Sequence, residues 1–154
     1  MGRQKRGSRK TQKNDRGRQK KVQTKRGEVL MYCLDTNIII DIFQGDKGLK
    51  TKFENLNPFI KLFITPITLC ELYKGPRPLT LVDNFIESSD IKLLNFNVVA
   101  CKTFGEDYIR LKKKGKLTRE ADLMIASIAK VNNLILITRD KKHFENTGVK
   151  IEVW

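Results

Sequence analysis

Two continuous apolar runs bracket the foldable part of this chain, and each leads to an aspartate. Met31-Tyr32-Cys33-Leu34 precedes Asp35, and Leu134-Ile135-Leu136-Ile137 is followed by Thr138-Arg139-Asp140. A strand that is apolar at every position suits burial on both faces, as in a central parallel strand covered by helices on either side. In open parallel sheets ligands bind beyond the carboxyl ends of the strands. Aspartates from distant parts of the chain are therefore expected to meet across one crevice. The pattern predicts an α/β protein with buried parallel strands.

Short apolar segments and helical periods alternate between the two runs, which supports that class. Thr36-Asn37 leads into a short helix over 38–43 that stops near Gly45, and a second helix covers 48–55. Residues 62–65 read as a strand, and Pro66 and Thr68 suit the entry to a helix that passes Leu72 and Tyr73 and ends at Gly75-Pro76. Helical spacing over 79–86 and a short strand over 91–94 follow. A long helix over 98–113 is expected to turn Val99, Phe104, Tyr108 and Leu111 inward. Thr118 can cap the next helix, whose opening turns carry Glu120 and Asp122 where the macrodipole favours acids. Its apolar stripe is Met124, Ile125, Ile128 and Ala129. A short helix over 140–144 and a last strand over 149–153 complete the chain.

Charge is distributed unevenly. Residues 1–28 hold twelve Lys and Arg against Asp15 and Glu28, a net of +10, leaving +4 of the formal +14 to the remainder. That segment has no aromatic residue and, after Met1, only Val22 as an apolar side chain. It is expected to be disordered, because it cannot bury enough surface to offset its ordering entropy. The organisation is thus a basic extension over 1–30 and a folded domain over 31–154, with Met31 an alternative start. Such an arm favours phosphate backbones through counterion release.

No apolar run approaches the ~18–20 residues that span a bilayer, and the first residues are too polar for a secretory signal. Three cysteines and one histidine fit neither a disulfide framework nor a Cys/His zinc site. The expectation is a reduced, cytoplasmic protein without a membrane partner. Cys33, Cys70 and Cys101 read as packing residues, His143 as a surface residue, and Phe43 and Tyr73 as core or subunit contacts.

Glu71 lies one turn into the helix after the second strand, so it emerges at the same sheet end as Asp35 and Asp140. Asp122 sits beside an apolar stripe, where an unpaired carboxylate is costly. Each acid alone has a plain alternative. Asp35 can be a turn or helix cap, Asp140 can cap the turn that follows, Glu71 can pair with Lys74, and Asp122 can be a first-turn acid. Together, four converging acids without His or Cys make a hard-oxygen site suited to Mg²⁺, with Mn²⁺ possible. Paired ions of this kind activate water and steady the leaving oxygen in phosphodiester hydrolysis. Asn37 and Thr138 can orient such carboxylates. Lys114, Lys116, Arg119 and Arg139 are candidate substrate contacts, able to hold phosphates beside the metals.

These residues resemble a known family. Asp35-Thr36-Asn37 after a strand, Thr68-Leu69-Cys70-Glu71-Leu72 with Gly75, Asp122-Leu123-Met124-Ile125-Ala126 and Thr138-Arg139-Asp140 are similar to PIN-domain ribonucleases, closest to the VapC toxin branch. The resemblance covers about residues 31–154. It implies a three-layer α/β/α sandwich on a mainly parallel sheet, Asp35, Glu71, Asp122 and Asp140 as the catalytic, metal-holding quartet, and an endonuclease acting on RNA that leaves 5′-phosphate and 3′-hydroxyl ends. It also implies frequent homodimers and a small antitoxin partner. The basic extension is not part of the family pattern. It raises an alternative, an enzyme of rRNA or tRNA maturation anchored by its arm. A non-catalytic RNA-binding protein is the second alternative.

Overall fold

The computed structural model describes residues 29–154, so the basic segment 1–28 and the disorder expected of it lie outside the described residues. The apolar runs become β1 (Met31–Leu34) and β4 (Ile135–Thr138). With β2 (Lys61–Ile64), β3 (Lys92–Leu93) and β5 (Lys150–Val153) they form one five-stranded sheet in the order β3-β2-β1-β4-β5. Every pairing is parallel. The chain winds from β1 outward to β3, then returns to the other flank of β1 for β4 and β5. Strand order therefore reverses between β1 and β4, the place where α/β sheets open a crevice. Register pairs Leu34 with Ile137, so Asp35 and Thr138 leave the sheet side by side.

Pleat alternation divides the core in two. Tyr32 and Leu34 face one layer with Ile38, Leu72 and Val82, from α1 (Thr36–Phe43), α3 (Pro66–Tyr73) and α4 (Leu79–Ser88). Leu49 of α2 (Lys47–Glu54) joins the same cluster. Cys33 and Leu136 face the other layer with Ile125, Ala126 and Ala129 of α6 (Glu120–Val131) and Phe144 of α7 (Lys141–Phe144). The α/β/α sandwich is thus built on strands buried from both sides, as their continuous apolar runs require.

Local chemistry sets the helix starts. Helix α1 begins at Thr36, before its apolar stretch, because the Asp35 carboxylate accepts the Thr36 N–H at 2.8 Å. Thr65 caps α3 by accepting the Thr68 N–H at 3.1 Å, with Pro66 following in the first turn. Thr118 does not cap α6. Arg119 occupies that position in extended conformation without a side-chain cap bond, and its guanidinium folds back onto Asp122 instead.

Helix α5 (Val98–Lys113) buries Leu111 and half-buries Phe104 and Tyr108 as expected, but Val99 turns outward and Asp107 takes a place on the inner face. Val99 is 60% exposed, whereas Ala100, Asp107 and Leu111 are buried. The face is organised around an ion cluster: Asp107 accepts Arg110 at 2.7 Å and Lys130 of α6 at 2.6 Å. Lys130 also donates to the Thr147 carbonyl, and Arg110 to that of Asn146. One carboxylate thereby ties α5, α6 and the turn before β5. Asp107→Ala is expected to lower unfolding free energy by about 2 kcal/mol in urea titrations, less than for a fully buried pair because both cations reach water. Cys33 is buried as expected, but Cys70 and Cys101 are exposed, since each lies on the outer side of its helix.

Candidate active site

The polar residues gather where strand order reverses. Asp35 is 5% exposed. Its second carboxylate oxygen accepts the Thr138 hydroxyl at 2.6 Å, across the β1–β4 pairing. Thr138, fully buried, also accepts the Asp140 N–H at 3.0 Å and the Asn37 amide at 3.3 Å. The Asn37 carbonyl in turn accepts the Arg139 N–H at 3.4 Å. Asn37 and Thr138 thus stand at the junction of the two strand ends and hold Asp35 in one orientation.

Glu71 reaches this junction from α3 and accepts the hydroxyl of Thr36; the partner considered for it from sequence was Lys74. Asp122, in the first turn of α6, is 2% exposed. Its two oxygens take the Arg119 guanidinium at 2.8 Å and 3.0 Å. Asp140 makes no cap bond for α7. Instead, the Nδ1 of His143 lies 3.2 Å from one carboxylate oxygen of Asp140 and one of Asp122.

Burial pushes the Asp35 carboxyl up to about 6, against the Thr138 and Thr36 hydrogen bonds, and the charges of Asp122 and Glu71 push in the same direction. The Asp122 contact foremost, with the fields of Glu71 and Asp35, raises the Arg119 guanidinium pKa. A cleft of about 260 Å³ contains Asp35, Thr36, Asn37, Glu71, Lys74 and Arg119. Arg119 is also a wall of a second cleft, about 350 Å³, with Lys116, Lys142 and His143. The acids and the basic groups therefore share one boundary.

The remaining candidates fall elsewhere. Lys114 is the exposed C-cap of α5. Arg139 pairs with Asp41 at 2.9 Å and Asp46 at 2.6 Å, bracing the α1–α2 connection. His143 is at the surface as expected, its side chain 38% exposed, but it stands beside two of the acids, a neighbourhood that sequence reasoning did not anticipate. Its signal was available: it lies three residues beyond Asp140 in a helix, so both side chains project from one face.

The profile of the PIN domain matches residues 32–150. The chain belongs to the PIN-domain family. This PIN domain is similar to "Ribonuclease VapC2" of Haemophilus influenzae, at 30% identity over 138 residues, 82% of this chain and 99% of that protein. It is similar at 29% identity to the "tRNA(fMet)-specific endonuclease VapC" of Shigella flexneri, over 82% of this chain and 99% of the relative. Among solved structures, a DNA-bound VapBC of Salmonella typhimurium superposes with a TM-score of 0.71 at 30% identity. It covers 81% of this chain and 98% of its own.

The donor set of the PIN domain fits a hard divalent cation. Asp35, Glu71 and Asp122 offer only carboxylate oxygens, and a guanidinium already stands among them as counter-charge. Among the described residues, no three Asp, Glu, His or Cys side chains stand close enough to enclose an ion as they are. Each of the three carboxylates has its own partner instead: Thr138 on Asp35, Thr36 on Glu71 and Arg119 on Asp122.

Proposed function

We propose that this PIN domain is a metal-dependent endoribonuclease, the VapC-type toxin of a toxin–antitoxin pair, with a small antitoxin as partner. The observation that carries the reading is the pair of buried carboxylates, Asp35 and Asp122, kept at the strand-reversal point of a chain with formal charge +14. Asp122, 2% exposed, already has the Arg119 guanidinium, whereas Asp35, 5% exposed, has only the neutral donors Thr36 and Thr138, and a carboxylate so buried is costly without a cation. The VapC names of the relatives and the VapBC assembly agree with this reading.

Asp35, Glu71, Asp122 and Asp140 would hold Mg²⁺ or Mn²⁺. Such an ion supplies Lewis acidity to a phosphate oxygen and makes water a competent nucleophile near neutral pH. The protein contributes orientation: Thr138 fixes Asp35, Thr36 fixes Glu71, and Arg119 fixes Asp122. Lys116, Lys142 and Arg119 offer charge to the RNA backbone beside the acids. Without a cation the carboxylates repel the scissile phosphate, so the metal-free protein binds RNA through its basic groups and leaves it intact.

The test is incubation with a mixed tRNA and rRNA pool, with chelator and then with Mg²⁺ or Mn²⁺ restored. Cutting only in the metal arms is expected, and the cut sites identify the target. RNA bound but uncut in every arm would favour the non-catalytic reading.

The basic extension favours a second reading, in which a PIN nuclease of rRNA or tRNA maturation is anchored by residues 1–30. If six of its cations engage phosphates, its deletion lowers the slope of log affinity against log salt by about 4. RNA affinity at moderate salt is expected to fall at least about tenfold with it. Filter binding across a salt series reads both quantities, and an unchanged slope would make the arm irrelevant to substrate.

A further inference from the structure

Arg119 is an unusual neighbour for a cation-binding carboxylate. Its Nε lies 2.8 Å from Oδ2 of Asp122 and its Nη2 3.0 Å from Oδ1, so both acceptor atoms of the most buried acid are taken. The two partners differ sharply in exposure: the Asp122 side chain is 3% exposed and that of Arg119 67%. Only the guanidinium therefore has a way out into water. Its sole other hydrogen-bonding contact among the described residues is Nη2 to His143 Nδ1 at 3.3 Å. The side chain makes no cap bond at the α6 start, so moving it breaks no helix-terminal bond.

We propose that Arg119 is the resident cation of the acidic centre, holding Asp122 when the centre lacks a divalent ion and leaving it when that ion binds. The proposal rests on the metal-nuclease reading and adds to it a competitor encoded in the chain. A guanidinium stays charged at all working pH values, so it clears Asp122 only by swinging away. The second cleft, with Lys116 and Lys142, lies on its other side. A released guanidinium thus enters the surface offered to RNA phosphate. The site agrees with this: among the described residues no three acids close on a common point, Arg119 lines the same cleft as Asp35 and Glu71, and their charges act on its guanidinium.

The experiment is a calorimetric titration with Mn²⁺ alone, no RNA present, on the full chain and on Arg119→Gln and Arg119→Lys. Removing a full charge from contact with Asp122 is expected to tighten Mn²⁺ binding at least about tenfold in Arg119→Gln. Arg119→Lys is expected to fall between the two, because an ammonium keeps the charge but loses the two-pronged fit. Melting provides a separate readout. Metal-free Arg119→Gln should melt below wild type, and the gap should close at saturating Mn²⁺. Equal or weaker Mn²⁺ binding by Arg119→Gln would overturn the proposal and make Arg119 an organiser of Asp122. No Mn²⁺ binding by any of the three proteins would overturn the divalent centre itself, and this proposal with it.

Discussion

Asp122→Asn is expected to lower RNA cleavage at least about a thousandfold, equivalent to about 4 kcal/mol of lost transition-state stabilisation, while leaving the protein folded and able to bind RNA. The size follows from where the side chain sits. Asp122 is almost wholly buried at the start of α6, and its oxygens meet Arg119 on one side and His143 on the other. An amide of the same shape removes the charge that draws a cation inward. It also presents an N–H₂ group where Arg119 needs an acceptor. The fold tolerates the change because the displaced guanidinium is already mostly in water. Single-turnover cleavage at saturating Mg²⁺, beside circular dichroism and filter binding, reads the three quantities separately. An unchanged rate would remove Asp122 from the site.

The residues that were legible in the sequence are those whose surroundings leave one solution. Strands β1 and β4 are apolar at nearly every position because helices cover both faces, so their ends could be located and Asp35 and Asp140 placed at one edge. Helix α5 was legible only in part: Leu111 is buried and Phe104 and Tyr108 half-buried as expected. Val98 and Val99 are apolar yet exposed, and the buried face is set by Asp107, whose partner Lys130 lies on another helix. Periodicity cannot register a charged residue as core when its counter-ion comes from elsewhere in the chain. The same blindness explains Arg119. Its position beside a basic run suggested a phosphate contact, but its first partner is Asp122, three residues ahead. Cys70 and Cys101 show the converse, since apolar neighbours in sequence do not decide which side of a helix faces water.

Asp35→Asn is expected to move two measurements in opposite directions: cleavage falls at least about a thousandfold, and the metal-free protein becomes more stable above pH 6. Burial, with the nearby charges of Asp122 and Glu71, raises the Asp35 carboxyl from 3.8 to about 6. Between those values the folded chain takes up a proton that the unfolded chain does not. Stability from this group therefore rises as pH falls through about 6 toward 3.8, by at most about 3 kcal/mol, and is lost again as pH rises. Arg119 is the cation facing this group, but its hydrogen bonds go to Asp122. An asparagine is neutral at every pH and so avoids the cost of burying the charge. It replaces the two bonds from Thr36 and Thr138 imperfectly, which leaves a net gain of about 1–2 kcal/mol at pH 7.5. The gain fades toward pH 4, where wild type is protonated as well. In wild type at limiting Mn²⁺, cleavage is expected to fall about tenfold per pH unit below the Asp35 midpoint. Urea titrations of both proteins at pH 7.5 and 4, with a pH–rate profile of wild type, test all three statements. Lower stability of Asp35→Asn at both pH values would reduce Asp35 to the cap of α1. Greater stability with lost cleavage marks a carboxylate kept ionised against the preference of the fold, as expected where function and stability compete for one residue.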